Sequence, residues 1–489
     1  MKNIIWFAIV ALTLSSCKKW LDVSPVSQVS EEELFKSPEG FEEALTGIYS
    51  RCSNMNLYGF ELTGGLPDVL AQNYSIPGDD WLHYRQTVNY NYNDRFFIAK
   101  KDTIWGGLYN AIANCNLLLK NLESQGGILT PDRRQLIRGE ALALRAFLHF
   151  DLLRLFAPSF SSNPSAKAIP YVTEFSNSVT GLSAVSEVLT KIATDLEQAK
   201  ELTRPVDPIV TAGYKVGYNT DVPSTEESSA SMFLQNRRHR MNYYAICGEL
   251  ARVNLYMDKK SEALRNALEV INSNKFPWTT TNDFINADPQ KKDRILYKEL
   301  VFAWYAPHLE DTLSARFNTG VKGLIVEKNT CEGMYQISGG GGDDLRYKHW
   351  FNAVLGGSSI DFYELQKYKR DNDQNRHYFV LPALRLSEIY YIASESAYDT
   401  DPVNALLYLN TVRKNRGIQT DVKPANKEEL MNELVMEARK EMYGEGQLFY
   451  MYKRLNRFIT GPVGGSNIPP SDKVFVMPLP DNEIEFGQR

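Results

Sequence analysis

The sequence has 489 residues, of which 43% are hydrophobic and 23% charged, with 54 Lys+Arg against 59 Asp+Glu and a formal net charge of −5. That composition is ordinary for a globular protein, and the length allows two or three domains, or one large domain that needs no metal or disulfide to fold. With no positive excess and no basic stripe interleaved with aromatics, nucleic acid is excluded as a partner.

At the N-terminus Lys2 supplies a positive charge, Ile4 to Leu14 is a short apolar run, and Leu14-Ser15-Ser16-Cys17 follows at once. The run is too short to span a bilayer but suits a signal peptide, here 1–16. Leu-Ser-Ser-Cys resembles the bacterial lipobox, so Cys17 is expected to carry lipid and hold the chain on a membrane, with 17–33 as its tether. The other cysteines, Cys52, Cys115, Cys247 and Cys331, have no metal-ligand spacing, and three fall in helical patterns as small buried hydrophobes. Neither a metal nor a cofactor is expected.

Ser37-Pro38-Glu39 opens a helix over roughly 40–52, with Phe41, Ala44, Leu45 and Ile48 as its stripe. Residues 53–102 read as a long loop rich in Tyr and Trp, of the kind that usually carries function. Helices are expected at 103–123, at 131–156 behind a Pro-Asp start, and at 186–202. Tyr243 to Asn274 is a helical hairpin. Ile246, Leu250, Val253 and Met257 line its first half, and Ala263, Leu264, Ala267, Leu268 and Ile271 its second. Small residues at Gly248, Ala251, Ala263 and Ala267 let the two helices approach, as in one unit of the tetratricopeptide pattern.

From 275 to 381 the helical period fades into short strand-like runs, Leu300 to Tyr305 and Leu324 to Glu327, with a four-glycine run at 339–342. Helices resume at 382–398 and 402–416, a second hairpin, and at 427–457, with a break near Gly444–Gly446; the tail 466–489 reads as extended. The expected fold class is therefore mostly α: tetratricopeptide-like hairpins in one large domain with long loop-rich insertions. The divisions are 34–274 (with the aromatic loop 53–102), 275–381 and 382–489. Because the hairpins are not neighbours in sequence, no solenoid is expected.

Motifs for catalysis are absent: there is no HExxH, GxSxG, SxxK or phosphate-binding loop. Asp371 to Asn375 begins like a calcium loop, but Arg376 and Pro382 stand where glycine and glutamate are required. What remains is aromatic residues in loops beside carboxylates and amides. Asn73, Asp80, Trp81 and Tyr84 form one cluster, and Tyr347 and Trp350, near Asp343 and Asp344, form a second. Flat rings stack on the C–H faces of sugars while polar neighbours bridge hydroxyls, so these six are the candidate ligand-binding residues.

Several ordered stretches are similar to the RagB/SusD family of surface lipoproteins from Bacteroidota nutrient-uptake systems. They are CKKWLDVSP from Cys17, EALALRAFLHFDLLRLF at 140–156, LRLSEIYYIASESA at 384–397, EARKEMYGEGQLFYMYKR at 437–454 and VFVMPLPDNE at 474–483. The resemblance implies a non-catalytic protein on the outer membrane, facing the exterior. It would sit over a SusC-like TonB-dependent barrel and capture an oligosaccharide for import. Capture of peptides or glycopeptides is the alternative, and a tetratricopeptide adaptor the next. One departure stands out: after Glu445-Gly446 many members carry Arg and then Asp, where this chain has Gln447 and Tyr450.

Overall fold

The computed structural model describes residues 31–76, 78–221, 224–370, 375–462 and 464–487. The signal peptide, Cys17 and nearly all of the tether lie outside the described residues, as do residues 371–374 of the calcium-like loop. Helices dominate. Those of eight residues or more are α1 (Pro38–Cys52), α2 (Arg95–Ser124), α3 (Pro131–Phe156), α4 (Val185–Thr203), α5 (Tyr243–Tyr256), α6 (Lys260–Asn272), α7 (Glu310–Phe317), α8 (Leu386–Ala397), α9 (Pro402–Asn415), α10 (Lys427–Glu441) and α11 (Leu448–Leu455). No helix among the described residues is long and apolar enough to cross a membrane.

Local chemistry sets most helix starts. Ser37 and Thr130 cap α1 and α3 by accepting from Gly40 and Arg133 N–H, with proline in each first turn. α2 begins at Arg95, earlier than the expected Thr103, because Asp94 accepts from the Phe96 and Phe97 N–H groups and its first turn already buries Phe97. The aromatic loop is shortened again by a helical turn through 61–70. α3 is buried almost all round and is the centre of the molecule.

Helices α2 to α6 pack in succession, and α6 then packs against α8, which pairs with α9 and α10. The hairpins α5–α6 and α8–α9 are thus neighbours in space although the insertion separates them in sequence. Each covers the face that the other cannot bury alone. Gly248 serves this contact and not its own hairpin: a Cβ there would come within 2.4 Å of Leu384 Cδ2 and 3.0 Å of Ile389 Cδ1.

Among the described residues the strands are β1 (Lys167–Pro170), β2 (Leu182–Ala184), β3 (Leu300–Tyr305), β4 (Ile325–Glu327), β5 (Phe351–Gly356), β6 (Ser359–Leu365) and β7 (Val380–Arg385). β1 pairs with β2, β3 with β7, and β4, β6 and β5 form a three-stranded sheet. β7 occupies the start of the helix expected at 382. Proline is acceptable in a first helical turn, but β3 recruits the run in antiparallel register, with Trp304 opposite Leu381 and Ala303 opposite Pro382, so the helix starts only at Leu386. The pair β3–β7 closes the insertion at its base.

Buried charge then fixes the insertion to the helices. Arg346, Arg385 and Arg416 all reach Glu441, Arg346 and Arg413 reach Glu437, and Lys367 reaches Glu445 at 2.8 Å. The expected helix 427–457 is broken where the sequence placed the break: Gly444 and Gly446 take φ of +79° and +71°, between α10 and α11. The tail is not wholly extended, since Asp472–Phe475 and Asp481–Phe486 are helical turns. Lys453 Nζ pins it by donating to the Phe475 and Arg154 carbonyls at 2.7 and 2.6 Å. All four cysteines in the described residues are buried free thiols.

Candidate functional site

The expected residues fall into three situations. Asn73, Tyr84 and Trp350 are core residues, which corrects their placement in open loops. Asn73 donates to Asp68 Oδ1 at 2.7 Å and its carbonyl accepts from the Tyr443 hydroxyl. Tyr84 is fully buried, donates to Glu61 at 2.6 Å and lies under Lys100, 4.4 Å from its ring. Trp350 has no exposed surface: its Nε1 donates to the Arg294 carbonyl at 2.7 Å and Lys367 Nζ sits 3.8 Å over its ring. The polar atom of each of these two rings has a partner, Glu61 for Tyr84 and the Arg294 carbonyl for Trp350, so burying it leaves no unpaired donor.

Asp80 is a turn residue, whose two carboxylate oxygens accept from the Tyr84 and Arg85 N–H groups at 2.8 Å each. Tyr347 is half-buried, its hydroxyl 2.7 Å from that of Tyr363. Trp81 alone among the six presents a broad open ring, 40% exposed. Its Nε1 donates to the Lys322 carbonyl, and the Arg316 guanidinium covers one part of the ring at 4.6 Å. Among the described residues none of these contacts reaches Tyr347 or Trp350, so no direct contact joins the two expected clusters.

A concavity lies elsewhere. It is a groove of ≈ 930 Å³, within the range typical of ligand clefts. Part of its lining is the face of α1 carrying Glu39, Glu42, Thr46 and Ser50, spaced by three and four residues. Glu42 is held by Arg133 Nε at 3.1 Å, and burial pushes its carboxyl above the usual range. Thr46 accepts from Arg240 at 3.1 Å. This face offers hydroxyls and carboxylates in a row.

Aromatic rings line the same groove. Tyr305, 44% exposed, is the last residue of β3, after five buried ones that include Trp304. Its ring lies parallel to His239, with centroids 5.3 Å apart and planes 4° apart, and Tyr378 meets it edge-on at 5.6 Å. Tyr378 is itself fixed by a 2.6 Å bond to Glu227. Burial, with Arg238 and Arg240 nearby, pushes His239 down to about 3, so its imidazole is neutral and serves as a flat backing. Tyr305 is therefore a platform held from behind and from the side.

Sequence reasoning missed Tyr305, His239 and Tyr378 as a group. The run Leu300–Tyr305 reads as a strand, but which end ring faces solvent depends on what covers β3, and nothing local links it to His239 or Tyr378. Arg316 was missed for the same reason. The departure at Gln447 and Tyr450 proves internal: both partner Arg154, Gln447 by a 3.1 Å hydrogen bond and Tyr450 by its ring at 3.8 Å.

A family model described as starch-binding, associating with the outer membrane, matches residues 19–207, and the SusD family model matches 215–475. The SusD-like protein P38 of Formosa agariphila is 21% identical, across 95% of this chain and 93% of its own. A SusD superfamily protein from Bacteroides thetaiotaomicron superposes with a TM-score of 0.71 at 21% identity, covering 92% of this chain and 98% of its own. The surface glycan-binding protein A of the same species, solved with laminarihexaose, gives 0.63 at 16%, covering 92% and 98%.

Proposed function

The chain belongs to the SusD family, and from that premise we propose that it is a non-catalytic, surface-exposed lipoprotein of the outer membrane that captures an oligosaccharide. Lipid on Cys17 anchors it, and a SusC-like TonB-dependent barrel receives the ligand for import. The observation that carries the capture reading is the Tyr305 platform, backed by His239 and flanked by Tyr378, in one groove with the hydroxyls and carboxylates of α1. A pyranose ring stacks by its C–H face on such a ring while its hydroxyls bond to the polar side chains of the groove. Trp81 offers a second open ring. The laminarihexaose bound by the glycan-binding relative supports the same class of ligand.

Titration calorimetry of the full chain in detergent against oligosaccharides and peptides, with each mixture checked for breakdown, tests this. Heat from a glycan class without products is the expected result, reduced about tenfold in affinity by Tyr305→Ala. Heat from peptides alone transfers the proposal to peptide capture, and products would make the protein an enzyme.

A further inference from the structure

We propose that the Trp81 lip selects saccharides bearing an oxyanion, either a uronate carboxylate or a sulfate ester; this rests on the capture reading above and specifies its ligand. At the Trp81 ring lies the Arg316 guanidinium, and the segments that meet beside it carry two further cations, Arg85 and Lys322; none of the three has an ion partner among the described residues. Arg316 leaves α7 to lie between two rings, 4.6 Å from Trp81 and 5.4 Å from Phe60, and its Nε is buried with no hydrogen-bond partner. Arg85 is exposed and donates to the Gly78 carbonyl, and exposed Lys322 gives its own carbonyl to the Trp81 N–H. Gly78 and Val321 abut, since a Cβ on Gly78 would lie 3.5 Å from the Val321 carbonyl, so the Arg85 and Lys322 segments converge beside the indole.

This arrangement differs from the treatment of arginine in the interior. Arg145 is paired with Asp195, Arg237 with Asp207 and Glu140, and Arg252 with Glu249 and Glu388. A half-buried guanidinium with no carboxylate partner, in a chain of net charge −5, is available to pair with a ligand anion. The nearby acids do not supply it: Asp80 has both oxygens on backbone N–H groups, Glu61 is taken by Lys100 and Tyr84, and Asp79 is exposed with no ion pair to these cations. A planar guanidinium fork suits a carboxylate or sulfate, and the open indole next to it suits the ring that carries one. A neutral sugar would stack yet leave the fork unpaired, which is the physical basis for discrimination.

The test is calorimetry of the full chain with three oligosaccharides of matched length: neutral, uronate-bearing and sulfated. At low salt the preference for at least one anionic ligand over the neutral one is expected to exceed about tenfold, and to shrink as salt screens it. Arg316→Gln should lower that ratio about tenfold, and whichever anionic arm responds identifies the oxyanion. Should Arg316→Gln lower the melting temperature strongly, the exposed pair Arg85→Gln/Lys322→Gln must lower the ratio in its place. A ratio near one, or one that neither variant changes, overturns the selection while neutral binding keeps the capture reading intact. Silence from all three ligands overturns both.

Discussion

Arg416, at the end of α9, meets Glu441, the last residue of α10, across 2.7 Å with neither side chain exposed. The same carboxylate takes Arg385 from β7 and Arg346 from the insertion, both at 2.9 Å, and Arg416 continues to Glu299 at 2.6 Å. One glutamate thus joins the helical array to the segment that carries the Trp350 region and the base of the β3–β7 pair.

Replacing Glu441 by Gln leaves three buried guanidinium groups short of a countercharge. A loss of about 3–5 kcal/mol in urea unfolding is expected. A loss below about 1 kcal/mol would show that the remaining carboxylates compensate and that this node is dispensable. Burial pushes its neighbour Glu437 up, but Arg346, Lys440 and Arg413 outweigh this and draw it down to about 2 from an ordinary 4.5. Its contribution is therefore complete above pH 4.5 and is lost as pH falls toward 2.

Asp68 behaves in the opposite sense. Burial pushes its carboxyl up to about 7 from 3.8, although Gly446, Asn73 and Tyr74 donate to it. The native protein then keeps a proton that the unfolded chain has released, so stability falls as pH rises from 3.8 to about 7. Asp68→Asn should flatten the pH dependence of unfolding there by up to about 1.4 kcal/mol per pH unit. An unchanged slope in the variant would place the titration elsewhere.

Two tryptophans separate packing from binding. Trp350→Ala should cost about 3–5 kcal/mol, because it empties a fully buried site and frees Lys367 from its ring. Trp81→Ala, on a half-open ring, should change stability by about 1 kcal/mol at most and act on saccharide affinity. Thermal unfolding of both, beside calorimetry of the second, checks this. A large stability loss in Trp81→Ala would make that residue structural.

Gly446→Ala tests the α10–α11 break. The residue has φ of +71°, and a Cβ would sit 2.5 Å from the Leu62 carbonyl oxygen and 2.7 Å from that of Thr63. Strain in the left-handed region and the backbone clash together are expected to cost about 2–4 kcal/mol, read by urea unfolding. A fully stable variant would mean that the 62–63 backbone yields easily.

The sequence by itself determined what short-range periodicity and backbone chemistry can specify. The stripes of α5 and α6, the capped starts of α1 and α3, the break at Gly444 and Gly446, and β3 and β4 are all properties of a few consecutive residues. The family was legible too, because its stretches recur in order along the chain. Tertiary structure alone decided which rings are open. Trp350 and Trp81 look alike in sequence, yet Arg294 and Lys367 close over the first while the second is left half-bare beside Arg316. Tyr305, His239 and Tyr378 become a platform only when β3, the turn before α5 and the segment before β7 are brought together. Whether a side chain is exposed depends on partners far along the chain, and no local period encodes them.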